Sequence, residues 1–210
     1  MDIEELKNNY KRNKNIIKKR LKEFSAVRGD AIFYELCFCL LTPQSNAHKC
    51  WDCVGILKNK DFINNKIPLM ELKKILRDKT RFYKNKSNYL KLSKDQYNNI
   101  KKIIINKNKK DIIKNKKIRE FLVKNIKGLG YKEASHFLRN IGYKNLAILD
   151  RHILKNLQKF KVINKVPKHL NKKNYLSIEE KFYKFSKKID IPMDELDLLF
   201  WSMETGKVFK

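Results

Sequence analysis

Apolar residues recur every three or four positions along almost the whole chain, and almost nowhere every two. That spacing lines up one face of a helix, whereas alternation is what a half-buried strand requires. The pattern predicts a long basic helix over "IEELKNNYKRNKNIIKKRLKEF" and a central one over "DAIFYELCFCLL", opening at Asp30 after Gly29. Another begins at the cap candidate Ser45 in "SNAHKCWDCVGIL". Further helices are expected over "LMELKKILRD", "KSNYLKLSKDQYNNIKKII", "IREFLVKNI", "KEASHFLRNI", "RHILKNLQKF", "SIEEKFYKFSKKI" and "DELDLLFWSME". The best strand candidate is "NLAIL", and it is short. An all-α class follows, and so many helices in 210 residues favour two lobes over a simple bundle. The lysine- and asparagine-rich "INKNKKDIIKNKK" reads as an exposed connection or a solvated helix end.

Charge narrows the partners. Fifty Lys+Arg against 22 Asp+Glu give a formal +28, a field that favours polyanions, with nucleic acid ahead of anionic membrane surfaces. An AT-rich genome also yields Lys, Asn and Ile in abundance, so charge alone is not decisive. The start "MDIEELKNNYKRNKN" has no apolar core and is not a secretory peptide. Apolar runs such as "CFCLLT" are too short to span a bilayer, and a cytoplasmic protein with no membrane partner is expected. The spacing of Cys37, Cys39, Cys50 and Cys53 hints at zinc, but Cys37 and Cys39 lie two apart on a helix and diverge. Buried reduced thiols, with no metal and no cofactor, are the expectation.

Three of the six glycines fall within "NIKGLGYKEASHFLRNIGYKNLAILDRHIL". Gly128 and Gly130 separate two helices, where they relieve side-chain clash and let the backbone approach another molecule. The helix that follows aims free N–H groups outward, a ready phosphate site. Ile126, Leu129 and Ala134 can anchor the turn, and Lys127 adds charge beside it. The pattern reads as a helix–hairpin–helix, a grip on a DNA backbone that ignores sequence, with a glycine C-cap followed by another helix as the plainer alternative; Gly142 more simply ends the next helix. Lys132, at the mouth of the hairpin, comes near the sugar–phosphate chain, where burial and neighbouring cations favour a nucleophilic amine. Asp150 precedes a helix and suits an N-cap, yet a carboxylate there can also stabilise an oxocarbenium-like charge.

The stretch from Ile126 to Asp150, with "GLGYKEAS" and "AILDRHI", resembles the helix–hairpin–helix–Gly/Pro–Asp superfamily of DNA glycosylases. "ELCFCLLTPQSNA", "TRFYKNKSNYL", "ELDLLFW" and the final "TGKVFK" are similar to its archaeal-type 8-oxoguanine DNA glycosylase/AP lyase family. The resemblance implies a two-lobed fold with the active site in the cleft between lobes. Lobe A would hold residues 1–28 and 146–210, and lobe B residues 29–145 with the 126–132 hairpin. It implies Lys132 as nucleophile and Asp150 as catalytic carboxylate. Lys210 would distinguish 8-oxoguanine from guanine, Phe82 and Trp201 would line the base pocket, and Gln44 would enter the gap left by a flipped base. No cysteine follows Cys53, so the iron–sulfur cluster of some relatives is absent. The implied partner is double-stranded DNA containing 8-oxoguanine, bound by a monomer through phosphates and with the lesion flipped out. The rivals are an oxidised-pyrimidine glycosylase of the same superfamily and a non-catalytic helix–hairpin–helix module.

Overall fold

A computed structural model describes residues 2–104 and 108–210. Eleven helices and no strand occur among those residues. They fall into two compact units. One comprises the described residues of Met1–Ala26, Lys109–Lys116 and Leu138–Lys210, the other those of Val27–Asn108 and Lys117–Phe137. Residues 109–116 and 138–145, assigned to lobe B from the sequence, cluster here with the terminal segments.

In the first unit, α1 (Ile3–Ala26) packs on α11 (Met193–Thr205), which also meets α9 (Arg151–Lys159) and α10 (Lys172–Lys188). The inward stripe of α1 is Leu6, Tyr10, Ile17, Leu21 and Phe24, while its lysines face out. Phe160, Phe182, Phe185 and Phe200 stack through the α10–α11 core with centroids 5.6–6.0 Å apart.

In the second unit, α2 (Ala31–Leu41) is buried at every position from Ile32 to Leu41 and packs against α3 (Ala47–Asn59) and α5 (Tyr83–Asp95). An element that is apolar all round belongs in the middle of a core. Phe33 contacts Phe62 and Tyr97, and Phe38 meets Trp51 and His136 edge-on. α4 (Leu69–Leu76) packs on α5. The single helix expected over 86–104 is two, α5 and α6 (Tyr97–Ile104), divided at Gln96. The buried positions 86, 90, 93, 97, 100 and 104 nevertheless keep one helical stripe, which is why periodicity does not reveal the break.

One cap expectation is corrected: Asn46, not Ser45, caps α3 by accepting from the Lys49 N–H. Asp30 does stand at the N-cap of α2, though without a side-chain bond. In the lysine-rich segment, residues 105–107 lie outside the described residues, 109–110 form a turn and α7 (Ile112–Asn125) begins soon after.

"NLAIL" forms neither helix nor strand, and it opens on Asn145 with left-handed backbone, φ 62°. Side chains of α10 and α11 bond several of its backbone groups. Asn145 N–H donates to Asp194, Ala147 N–H donates to Glu179 Oε1 at 2.9 Å, and Tyr175 O–H donates to the Ala147 carbonyl at 2.6 Å. A buried irregular segment must find such partners, and here helices supply them.

Candidate active site

The hairpin in the second unit joins α7 to α8 (Tyr131–Asn140). Ile126, Leu129 and Ala134 are buried beneath it, while Lys127, Gly128 and Gly130 are exposed. The Leu129 N–H donates to the Ile126 carbonyl and closes the turn. Gly128 has φ +94°, and a Cβ there would lie 2.4 Å from Tyr89 Cδ2. At Gly130 a Cβ would lie 2.9 Å from Glu133 Oε2, the end of a side chain that can swing aside. Glu133 therefore folds back over the start of α8, and its other oxygen pairs with Lys132 Nζ at 3.1 Å. The Lys132 side chain, 31% exposed, is thus held by a carboxylate at the first turn of the helix it opens. Beneath this turn the guanidinium of Arg119, buried in α7, donates to Ser135 Oγ at 3.0 Å and lies under the Tyr131 ring.

Gly142 does end α8. The Gly142 N–H donates to the Arg139 carbonyl and the Tyr143 N–H to that of Leu138, the paired bonds of a Schellman closure. Its φ is +92°, and a Cβ would lie 2.8 Å from the backbone of Ser25.

Also in the second unit, Gln44 and Phe82 share an unusual property. Both are exposed residues with left-handed backbone, φ 53° and 56°. Asp61, Asn145, Lys161 and Asp190 share that backbone, so it marks tight corners of the fold and not by itself a functional site. Phe82, 53% exposed with the Arg81 guanidinium 5.3 Å from its ring centroid, is no core aromatic.

In the first unit, Asp150 is the N-cap of α9: its Oδ1 accepts from the N–H groups of His152 and Ile153, both at 2.8 Å. Both cap bonds go to Oδ1. The irregular segment braced by Asp194, Glu179 and Tyr175 leads into this residue. Close by in charge space is Asp197, buried in α11, whose Oδ2 accepts from Arg139 at 3.1 Å. Burial, with Asp150 and Asp194 as added negative charges, pushes the Asp197 carboxyl up to about 7 against the pull of Arg139. Trp201 is partly buried with its ring tilted against Phe209, and Lys210 is also partly buried. At the end of α11, Glu204 pairs with Lys155 and accepts from Asn156, joining that helix to α9.

Arg139, Asp197, Glu133 and Lys86 escaped the sequence reading. Their signal is a charge set into an apolar stripe, as in "DELDLLFW", but such charges are numerous here. All four cysteines are buried, and desolvation raises the Cys50 thiol to about 12 and that of Cys53 to about 11. No group of three or more metal-ligating side chains occurs among the described residues.

An all-helical chain with this hairpin, a lysine at its mouth and an aspartate capping a later helix has the architecture of the helix–hairpin–helix DNA glycosylases. A family model described as 8-oxoguanine DNA glycosylase matches residues 17–191. The chain belongs to the 8-oxoguanine DNA glycosylase family. An 8-oxoguanine DNA glycosylase/AP lyase of Fusobacterium nucleatum is 44% identical over 98% of this chain and 96% of its own. One from Methanocaldococcus jannaschii is 41% identical over 99% and 97% respectively. The crystal structure of the M. jannaschii glycosylase/lyase in complex with a 15mer DNA containing 8-oxoguanine matches with a TM-score of 0.87 at 36% identity, covering 99% of both chains.

Proposed function

We infer that this chain excises 8-oxoguanine from double-stranded DNA and then nicks the strand as an AP lyase. The observation that carries this is 44% and 41% identity, over nearly the full length, to proteins named for both activities, joined to a partly exposed lysine at the hairpin. In its neutral form Lys132 Nζ attacks C1′ of the flipped nucleotide. The C1′–N bond to the base breaks, and the base leaves with its electron pair and takes up a proton. Oxocarbenium-like charge builds at C1′ and O4′ in that step, and the carboxylate of Asp150 is the anion that offsets it. Opening of the sugar ring with loss of the amine's protons leaves an imine between Lys132 and C1′. Removal of a C2′ proton then expels the 3′ phosphate and cuts the strand, and water hydrolyses the imine to free the lysine.

The remaining residues take the following parts in this reading. Lys127, Gly128 and Gly130, all exposed on the turn, hold backbone phosphates, and binding weakens as salt rises. Gln44 fills the gap left in the duplex. Phe82 and Trp201 pack against the extruded base. The Lys210 side chain senses the altered C8 and N7 edge of oxidised guanine. The protein works as a monomer in the cytoplasm, on the nucleoid. No helix among the described residues is long and apolar enough to cross a membrane.

Borohydride trapping with duplexes carrying 8-oxoguanine, thymine glycol or undamaged guanine tests the reading. A covalent product with 8-oxoguanine, absent in Lys132→Gln, is the expected result. Preferential trapping on thymine glycol transfers the chain to the oxidised-pyrimidine enzymes. Salt-sensitive binding with no trapping leaves only a DNA-binding module.

A further inference from the structure

Lys86 is buried, 3% exposed, on the inward face of α5. An ammonium has three donors, and here each finds an acceptor. Nζ lies 2.6 Å from the Leu41 carbonyl, 2.8 Å from the Pro43 carbonyl and 2.8 Å from Ser45 Oγ. Leu41 ends α2, so the first bond satisfies a carbonyl left over at a helix C-terminus, where a cation is favoured. The other two bonds bracket Gln44, fixing the residue before it and the residue after it. Ser45 Oγ carries the connection further by accepting from the Arg81 N–H at 2.9 Å, next to Phe82.

One buried charge therefore underlies both exposed, left-handed residues of this unit that the functional reading assigns to DNA. A left-handed backbone is unfavourable for a residue with a Cβ and persists only where its surroundings hold it. We propose that Lys86 is a positioning residue for base extrusion, its ammonium holding the 43–45 turn and the Arg81–Phe82 corner so that Gln44 and Phe82 meet the DNA preformed. The proposal rests on the glycosylase reading above. Lys86 hydrogen-bonds to Leu41, Pro43 and Ser45 and reaches Lys132 only through the mutual repulsion of their charges.

Burial, then the positive charges of Lys132 and Arg81, pull the Lys86 ammonium down to about 8, while Cys50 and Cys53 act the other way. It is still charged at neutral pH, which suits a site offering three acceptors and no carboxylate. A neutral side chain of the same length would leave the Leu41 and Pro43 carbonyls without this donor.

The test compares two reactions of the full chain. Excision of 8-oxoguanine from a duplex needs extrusion and gap filling. Cleavage of a pre-formed abasic site in single-stranded DNA needs the imine chemistry but neither of those. Lys86→Met should lower single-turnover duplex excision by about tenfold or more while single-strand cleavage stays within about twofold. The fluorescence rise of 2-aminopurine placed beside the lesion should shrink in step with excision. Ser45→Ala, which removes one acceptor and the link to Arg81, should shift the same ratio in the same direction by a smaller factor, and serves if Lys86→Met does not fold. Parallel loss of both reactions, or an unchanged ratio in either folded variant, overturns the proposal. An inactive wild-type chain would instead overturn the glycosylase reading itself.

Discussion

Replacing Gly128 by alanine should damage the hairpin through two separable effects. The first is conformational: φ is +94°, and a Cβ in left-handed backbone costs roughly 1–2 kcal/mol. The second is steric, because that Cβ would sit 2.4 Å from Tyr89 Cδ2, 2.9 Å from Cγ and 3.0 Å from Cε2. The whole near edge of the ring is in the way, so a small rotation does not relieve the overlap, and overpacking of this kind costs about 1–3 kcal/mol. Together they come to about 2–5 kcal/mol, a large share of the ~5–15 kcal/mol that holds an ordinary domain folded. For a chain of this size the melting temperature should fall by roughly 4–20 °C.

Thermal melts of Gly128→Ala, Tyr89→Ala and the double variant separate the effects. Truncating the tyrosine removes the obstacle but not the backbone strain. The double variant should therefore lose less than the sum of the singles, with a coupling of about 1–3 kcal/mol. DNA affinity of Gly128→Ala should drop as well, since the turn must shift to accept the methyl. Strict additivity would show that Tyr89 is not what excludes the side chain. A wild-type melting temperature for Gly128→Ala would refute the whole account of the turn.

Asp150 permits a cleaner division of stability from chemistry. Asparagine caps a helix about as well as aspartate, so Asp150→Asn should melt within about 0.5 kcal/mol of wild type, while Asp150→Ala loses about 1 kcal/mol. Excision should fall by about a hundredfold or more in both, since both lose the charge, and near-normal activity in Asp150→Asn would reduce this residue to a cap. Asp197 makes a pH prediction. Its carboxyl sits at about 7 in the fold against an ordinary 3.8, so folding favours the protonated form. The stability it contributes is complete below about pH 4 and is lost as pH rises through 7. Melting temperatures measured from pH 5 to 8 should decline less steeply in Asp197→Asn, and identical slopes would show that this carboxyl does not titrate as described.

Much of the architecture is legible in the sequence because helices announce themselves locally. The stripe Leu6, Tyr10, Ile17, Leu21, Phe24 is enough to orient α1. The pair Gly128 and Gly130, flanked by Ile126 and Leu129, is enough to locate the hairpin and Lys132 at its mouth. What periodicity hides is any feature decided by a partner distant in sequence. Ser45 looks like a helix cap, but its hydroxyl is taken by Lys86, 41 residues away, and by the Arg81 N–H, so Asn46 caps instead. "NLAIL" looks like a strand for the same reason. Its apolar content is right, and only Glu179, Tyr175 and Asp194 reveal that no sheet is needed.

These hidden partners have a common physical character. Most residues assigned to chemistry or DNA contact stand at or next to junctions between helices, where the helical hydrogen-bond ladder does not fix the backbone; Trp201, inside α11, is an exception. Asp150 follows an irregular segment, Lys132 follows the hairpin, and Gln44 and Phe82 sit in left-handed corners. Two of these junctions are held by polar side chains from another helix, Glu179 and Tyr175 for the approach to Asp150 and Lys86 for Gln44, whereas Lys132 pairs with Glu133 of its own helix. A buried lysine or glutamate is costly unless fully paired, so once paired it tolerates little displacement of the loop it binds. Regular helices thus act as rigid carriers of these buried polar groups, and the polar groups convert helix rigidity into loop precision. It follows that the charges most worth substituting in this very basic chain are not its many exposed lysines. They are the few buried ones, where removing one donor releases an entire loop.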